Sequence, residues 1–321
     1  MFNEMLYPIF AVLVICVQVL LVFLIFKNRS VLMINMRVYL LNISLAQMVT
    51  VLAGLLTQCR MIPNQNTVGF ICSGLCTNLG SPYCFALHLL RDVSSISTLF
   101  AITHVFYFRY RVLSHQKITK NQQIRNFMLV HFPAIFCAIC QFTNPSDKIL
   151  IIQETMYNSN EMDFDESSIF GFSSLTSPLV RFSTFLFSVL LVINPITAFL
   201  YRRKIRNLLN EYVCNGECNI ARIRNARSLI TGLTWQTIVP CVCFIPLMSQ
   251  FFLAHYVGVR NSVLEHLSSF FVIFPTLIDP LLSFYFIIPF RRAIKAGLKK
   301  VDFNHSEDLS MKRGLTIDPN I

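Results

Sequence analysis

Apolar residues run in seven long stretches, at about 5–26, 38–59, 84–108, 126–142, 176–201, 229–254 and 267–288, and polar, charge-bearing gaps separate them. A helix rises ~1.5 Å per residue, so stretches of roughly 17–26 residues match the ~30 Å hydrocarbon layer of a bilayer. The pattern predicts an all-α membrane protein, a seven-transmembrane helix bundle over residues 1–290 with a tail over 291–321. An odd number of crossings puts the two ends on opposite sides.

The basic residues orient the bundle. The gaps after the first, third and fifth stretches hold three, five and seven Lys or Arg, and the tail holds seven, which is 22 of the 27 in the chain. Basic residues near membrane spans mark the cytoplasmic side. The expectation is therefore an N-terminus outside and a C-terminus in the cytoplasm. The outer loop at about 143–175 carries Asp147, Glu154, Glu161, Asp163, Asp165 and Glu166, which agrees with that side but adds little weight to it.

Composition points the same way: 54% of the residues are hydrophobic and 13% charged, against about a quarter charged in soluble domains. A net charge of +11 raises the question of nucleic acid. Here the excess lies in strips beside membrane spans, where topology and lipid head groups account for it. The first stretch has Glu4 before it and Lys27-Asn28-Arg29 after it, the features of a spanning anchor rather than a cleaved signal. The segment after Pro289, Phe290-Arg291-Arg292 and onward, suits a short helix lying on the membrane. The sequons at Asn28, Asn42 and Asn304 fall in cytoplasm or membrane on this topology.

Among the 11 cysteines, Cys72 and Cys76 lie in the first outer loop and Cys84 at the top of the third span. Outer-face thiols oxidise, so a disulfide within Cys72, Cys76 and Cys84 is expected, with Cys59 or Cys140 as further partners and the connectivity open. Cys214 and Cys218 fall on the cytoplasmic side, where thiols stay reduced. No cofactor or metal site is expected.

Polar residues inside the spans carry the candidate chemistry. The third span holds His88, Arg91, Asp92 and Ser95; His88 and Asp92 stand at i,i+4, and Ser95 continues that face. A central Arg or Asp costs ~2.5–3.5 kcal/mol on insertion, so these groups are expected to face the bundle interior or a hydrated cavity. They are candidate ligand-binding residues at the floor of an outward-facing pocket, or a polar network tying helices together. Gln236 in the sixth span joins them, either as ligand contact or as interhelical glue, the role also given to Asn42, Ser44 and Gln47. Pro240 and Pro246 bend the sixth span, and Asp279-Pro280 interrupts the seventh. Pro280 removes a backbone donor, and the carbonyl it frees needs a partner from a neighbouring helix or from water.

Enzyme signatures are absent: the chain has no phosphate loop, HExxH or GxSxG. A secondary transporter would favour repeated halves with helices broken at matching positions, whereas these prolines cluster in the last two spans. An inverted-topology ligand-gated channel would need an N-terminus inside, against the charge count.

Specific motifs narrow the class. Phe108-Arg109-Tyr110 ends the third span; Arg224-Asn-Ala-Arg-Ser-Leu-Ile-Thr-Gly-Leu-Thr-Trp-Gln236 leads into Pro240; Pro275-Thr-Leu-Ile-Asp279-Pro280, Tyr285 and Pro289-Phe290-Arg291-Arg292 close the bundle. Together they resemble the nematode serpentine chemoreceptors, G-protein-coupled receptors, most of all the delta class, over about residues 5–295. The resemblance implies a sensory-neuron receptor that takes a small odorant or pheromone-like ligand and activates a heterotrimeric G protein, in a multi-pass plasma membrane, with membrane lipid but no nucleic acid as a further partner. It implies G-protein contact for Arg109 and Tyr110, and switch roles for Pro240, Asp279, Pro280 and Tyr285. Phe108 stands where the superfamily has an acid, and the usual disulfide to the second outer loop has no loop cysteine here.

Overall fold

A computed structural model describes residues 2–27, 31–64, 66–114, 119–142, 148–159, 169–173, 178–214, 220–259 and 261–296. The helices are α1 (Phe2–Lys27), α2 (Val31–Thr57), α3 (Ser81–Leu113), α4 (Lys120–Phe142), α5 (Lys148–Ser159), α6 (Pro178–Cys214), α7 (Ile220–Phe252), α8 (Ser262–Phe286) and α9 (288–296). All but α5 and α9, seven helices, are long and apolar enough to cross a membrane. Cys218, Asn28, Asn304 and, in the acidic loop, Asp147, Glu161, Asp163, Asp165 and Glu166 lie outside the described residues.

The bundle is built around α3. In its spanning window 61% of the residues are buried, against 17% in α4 and in α6. That contrast makes α3 the central post and leaves α4 and α6 at the rim. Large apolar side chains on the outside, such as Phe23, Phe132 and Phe185, are what a lipid-facing surface requires. Toward the tail pole, Met36, Ile102, Val105, Phe106, Ile205 and Phe290 belong to one buried core. Two helices close tightly there: a Cβ on Gly232 would stand 2.7 Å from Phe286 Cβ, so only glycine lets α7 approach α8 this closely. Helices α6 and α7 run on past the apolar stretches to Cys214 and from Ile220, carrying their basic residues beyond the hydrocarbon depth.

The N-terminal pole carries a cap. Strands β1 (Cys59–Pro63), β2 (Thr67–Cys72) and β3 (Ile169–Ser173) form an antiparallel sheet in the order β1-β2-β3. Strand β2 is buried throughout because both its faces are covered. Val68, Phe70 and Cys72 turn to the bundle, while Ile71 packs with Ile62, Ile151 and Ile169 beneath α5, the alternation a pleated strand imposes. Glu154 on α5 accepts from the Thr67 hydroxyl at 2.8 Å and from its backbone N–H at 3.1 Å.

Two disulfides fasten the cap. Cys59 and Cys72, directly opposed on β1 and β2, are bonded. Cys76, in a 3₁₀ turn at Leu75–Leu79, is bonded to Cys84 in the first turns of α3. Cys140 is a free, buried thiol. Ser81 Oγ donates to the Ile169 carbonyl at 3.1 Å, and Arg60 of β1 pairs with Glu265 of α8 at 3.0 Å. Asn261 caps α8, its side chain accepting from the N–H groups of Val263 and Leu264.

Candidate functional site

Beneath the cap the helices part around a cavity whose empty volume is about 1040 Å³, open solvent at its mouth included. Met61, Val68 and Phe70 form its roof. Phe187, Phe244, Leu247 and Phe251 supply apolar wall from α6 and α7. Helix α3 contributes His88, Arg91, Asp92 and Ser95, and Gln141, Thr184, Ser268 and Ser269 add uncharged polar groups from α4, α6 and α8. Helical spacing brings the four α3 residues to one side, as positions three and four apart on a helix are neighbours.

His88, Arg91 and Asp92 form a compact triad. Arg91 donates from Nε and Nη2 to Asp92 Oδ1, each at 3.2 Å. His88 Nε2 lies 3.5 Å from Asp92 Oδ2. His88 is 2% exposed and Arg91 6%, whereas the Asp92 side chain keeps 37% of its surface. The His88 ring lies 4.1 Å from that of Phe70 and 5.5 Å from that of Phe170, so the cap rests directly on the triad. Among the described residues its Nδ1 has no hydrogen-bond partner.

Gln236 does not line this cavity. It sits eight residues, roughly 12 Å of helix, from the wall residue Phe244 toward the tail pole. There its Nε2 donates to the Asp279 backbone carbonyl at 3.1 Å and to Ser283 Oγ at 2.9 Å. Of its two expected roles the bonds match interhelical glue, joining α7 to α8, and the place outside the cavity lining does not match ligand contact. Gln236 belongs to a buried network across four helices. Gln47 donates to the Asp279 carboxylate. Gln18 of α1 donates to Gln47 Oε1 at 2.7 Å and to the Thr276 carbonyl at 2.9 Å, and accepts from Ser44 at 2.6 Å. Pro280 and Pro240 are buried inside α8 and α7 beside this network. The hydropathy pattern does not single out Gln18; the available signal is an amide in the most apolar stretch of the chain, where a polar side chain needs a partner.

Tyr285 departs from its expected place. It is 64% exposed, on the outer surface of the bundle, where its ring meets that of Phe286 edge-on at 4.9 Å. Six residues of helix turn it ~240° away from Asp279, whereas four residues bring Ser283 back to ~40°. Ser283 therefore takes the interior position.

At the tail pole Arg109 is half-buried and, among the described residues, makes no hydrogen bond or ion pair; its Nε is one of the buried atoms without a partner. Phe108 is buried in the core, 4% exposed, with its ring 4.4 Å from that of Tyr39. Tyr110 lies 6.0 Å from the Tyr201 ring of α6, and Lys204 Nζ stands 5.8 Å and 5.7 Å over those two rings. Tyr212 of α6 donates to the Leu113 carbonyl at the end of α3, 2.6 Å away. The sulfurs of Cys72, Cys76 and Cys84 crowd within 4.8 Å at the opposite pole; as all three are in disulfides, they offer no thiolate to a metal.

Comparison with known proteins places the chain. Residues 3–296 match the family described as serpentine type 7TM GPCR chemoreceptor Srd. Serpentine receptor class delta-51 of Caenorhabditis elegans is 30% identical over 294 residues, which cover 92% of this chain and 86% of the relative. Class delta-50 of the same organism is 26% identical over 318 residues, 94% of each. In fold, the crystal structure of squid rhodopsin is similar with a TM-score of 0.63 at 14% identity, covering 98% of this chain and 90% of rhodopsin. A seven-helix bundle with a capped cavity at one pole, matched over nearly its whole length, belongs to the Srd family of serpentine seven-transmembrane chemoreceptors.

Proposed function

We propose that this receptor binds a small chemical cue in the capped cavity and passes the event along the bundle to a heterotrimeric G protein. In this reading the N-terminal pole faces outside and the tail pole the cytoplasm, an orientation supported by the sorted basic residues, and the setting is the plasma membrane of a sensory neuron. The observation that carries the reading is the content of α3. One helix holds the His88-Arg91-Asp92 triad in the cavity and, at its other end, an arginine with no partner among the described residues.

A ligand that binds one arrangement of the cavity more tightly shifts the population toward it. The proline-interrupted helices α7 and α8 line the cavity and meet at the Gln236, Asp279 and Ser283 bonds. A change of bend at Pro240 or Pro280 moves their tail-pole ends relative to α3. Arg109, Tyr110 and the basic extensions of α6 and α7 then form the surface offered to the G protein. The decisive experiment uses Arg109→Ala at matched surface expression, with nucleotide exchange as the readout after a panel of odorants identifies an activator. Loss of exchange is expected; undiminished activation removes Arg109 from the coupling surface.

A further inference from the structure

Among the described residues, the charged groups facing the cavity are Arg91 and Asp92, and they neutralise each other. Asp92 Oδ1 accepts from the guanidinium, and Oδ2 lies 3.5 Å from His88 Nε2. His88 Nδ1 has no hydrogen-bond partner among the described residues, and a neutral imidazole keeps one acceptor nitrogen. Arg91 commits Nε and Nη2 to Asp92, while Nη1 has no hydrogen bond among the described residues. The triad therefore has no net charge and a spare donor on Arg91. The surrounding wall is mostly apolar, with Phe187, Phe244, Leu247 and Phe251, and its other polar residues, Gln141, Thr184, Ser268 and Ser269, carry no charge.

We propose that this cavity selects uncharged ligands, an apolar carbon skeleton bearing one carbonyl-type oxygen that accepts from Arg91; the proposal rests on the reading of the cavity as the ligand site. A carboxylate reaching Arg91 stands next to Asp92, and an ammonium reaching Asp92 stands next to Arg91. Either leaves one uncompensated charge inside an apolar wall, a large desolvation cost. A ketone, ester or lactone loses only the hydration of its oxygen, and a single hydrogen bond offsets that loss.

The test measures saturable binding of three radiolabelled probes of one chain length, hexyl methyl ketone, octanoate and octylammonium, to the purified full-length receptor in lipid nanodiscs. The ketone is expected to bind tighter than either ion by on the order of tenfold or more. Asp92→Asn gives the triad a net positive charge and shifts the preference to octanoate. Arg91→Gln gives it a net negative charge and shifts the preference to octylammonium. If either ion binds the unaltered receptor as tightly as the ketone, the proposal falls while the cavity remains the ligand site. If the variants fold and the preference does not move, Arg91 and Asp92 do not set it and the proposal falls in the same way. Saturable binding of none of the three overturns the proposal together with the cavity reading. The comparison on the unaltered receptor decides even where a variant fails to fold.

Discussion

Gln18 donates from Nε2 to the Thr276 carbonyl at 2.9 Å, and that carbonyl is the one Pro280 leaves without its helical N–H donor. The interrupted helix is thus completed from outside, by a side chain on α1. The same amide nitrogen also serves Gln47, whose own amide reaches the Asp279 carboxylate. A proline in α8 and a glutamine in α1 are two halves of one device, since each leaves a buried polar group that the other satisfies.

Gln18→Leu tests that device. It strands the Thr276 carbonyl and the Ser44 hydroxyl in the buried interior of the bundle, which costs about 1–2 kcal/mol. Purified receptor carrying the change is expected to unfold at lower temperature than the unaltered protein. In a Pro280→Ala background, where the backbone N–H returns, the loss should shrink. An equal loss in both backgrounds would show that Gln18 does not serve the broken helix.

Asp279 sets the order of its own variants. Gln47 needs an acceptor at the Asp279 side chain, and asparagine retains one while alanine does not. Asp279→Asn is therefore expected to keep most of the surface expression, and Asp279→Ala to lose stability by about 1–3 kcal/mol. Thermal unfolding of both, alongside Gln47→Leu, checks the ranking. Asp279→Asn unfolding as early as Asp279→Ala would assign the role to the charge instead of the hydrogen bond.

These outcomes bear on what can be read from the chain. The spans were legible because roughly 20 apolar residues have one use in a bilayer. The triad was legible too, because charge inside such a span must face inward. The cap was not. Cys59–Pro63 continues the apolar character of α2, and the wholly buried strand Thr67–Cys72 lacks the polar alternation that marks a strand with one wet face. Tyr285 was placed by motif position, yet helical phase puts Ser283 inside; Gln236 was read from its polarity with two roles open, and depth keeps it out of the cavity and in the interhelical one.

Phe108 makes a prediction against restoring the superfamily motif. Its ring is packed against Tyr39, and it belongs to the buried core with Ile102, Val105 and Met36. Phe108→Glu places a carboxylate among these side chains and removes an aromatic from them, a loss of about 3–5 kcal/mol. Surface expression should collapse, and Phe108→Leu should be tolerated far better. A well-expressed Phe108→Glu receptor with reduced basal nucleotide exchange would instead mean that the glutamate turns to Arg109.

The cap is held to the bundle at several points, and one of them is the charged contact of Arg60 with Glu265. Glu265 is 1% exposed, and Arg60 reaches it from β1 at 3.0 Å. Breaking a buried pair from one side costs more than removing both partners, because the survivor keeps its desolvation cost. Arg60→Met and Glu265→Leu are each expected to lower the unfolding temperature, while the double variant should recover part of the loss. The coupling read from that cycle should be about 1–3 kcal/mol. Reduction of the Cys59–Cys72 and Cys76–Cys84 bonds, each closing a short loop worth about 2–3 kcal/mol, should enlarge the effect of Arg60→Met on ligand binding, because the ion pair then carries more of the cap. Strict additivity of the two single changes would show that Arg60 and Glu265 hold the cap independently of each other.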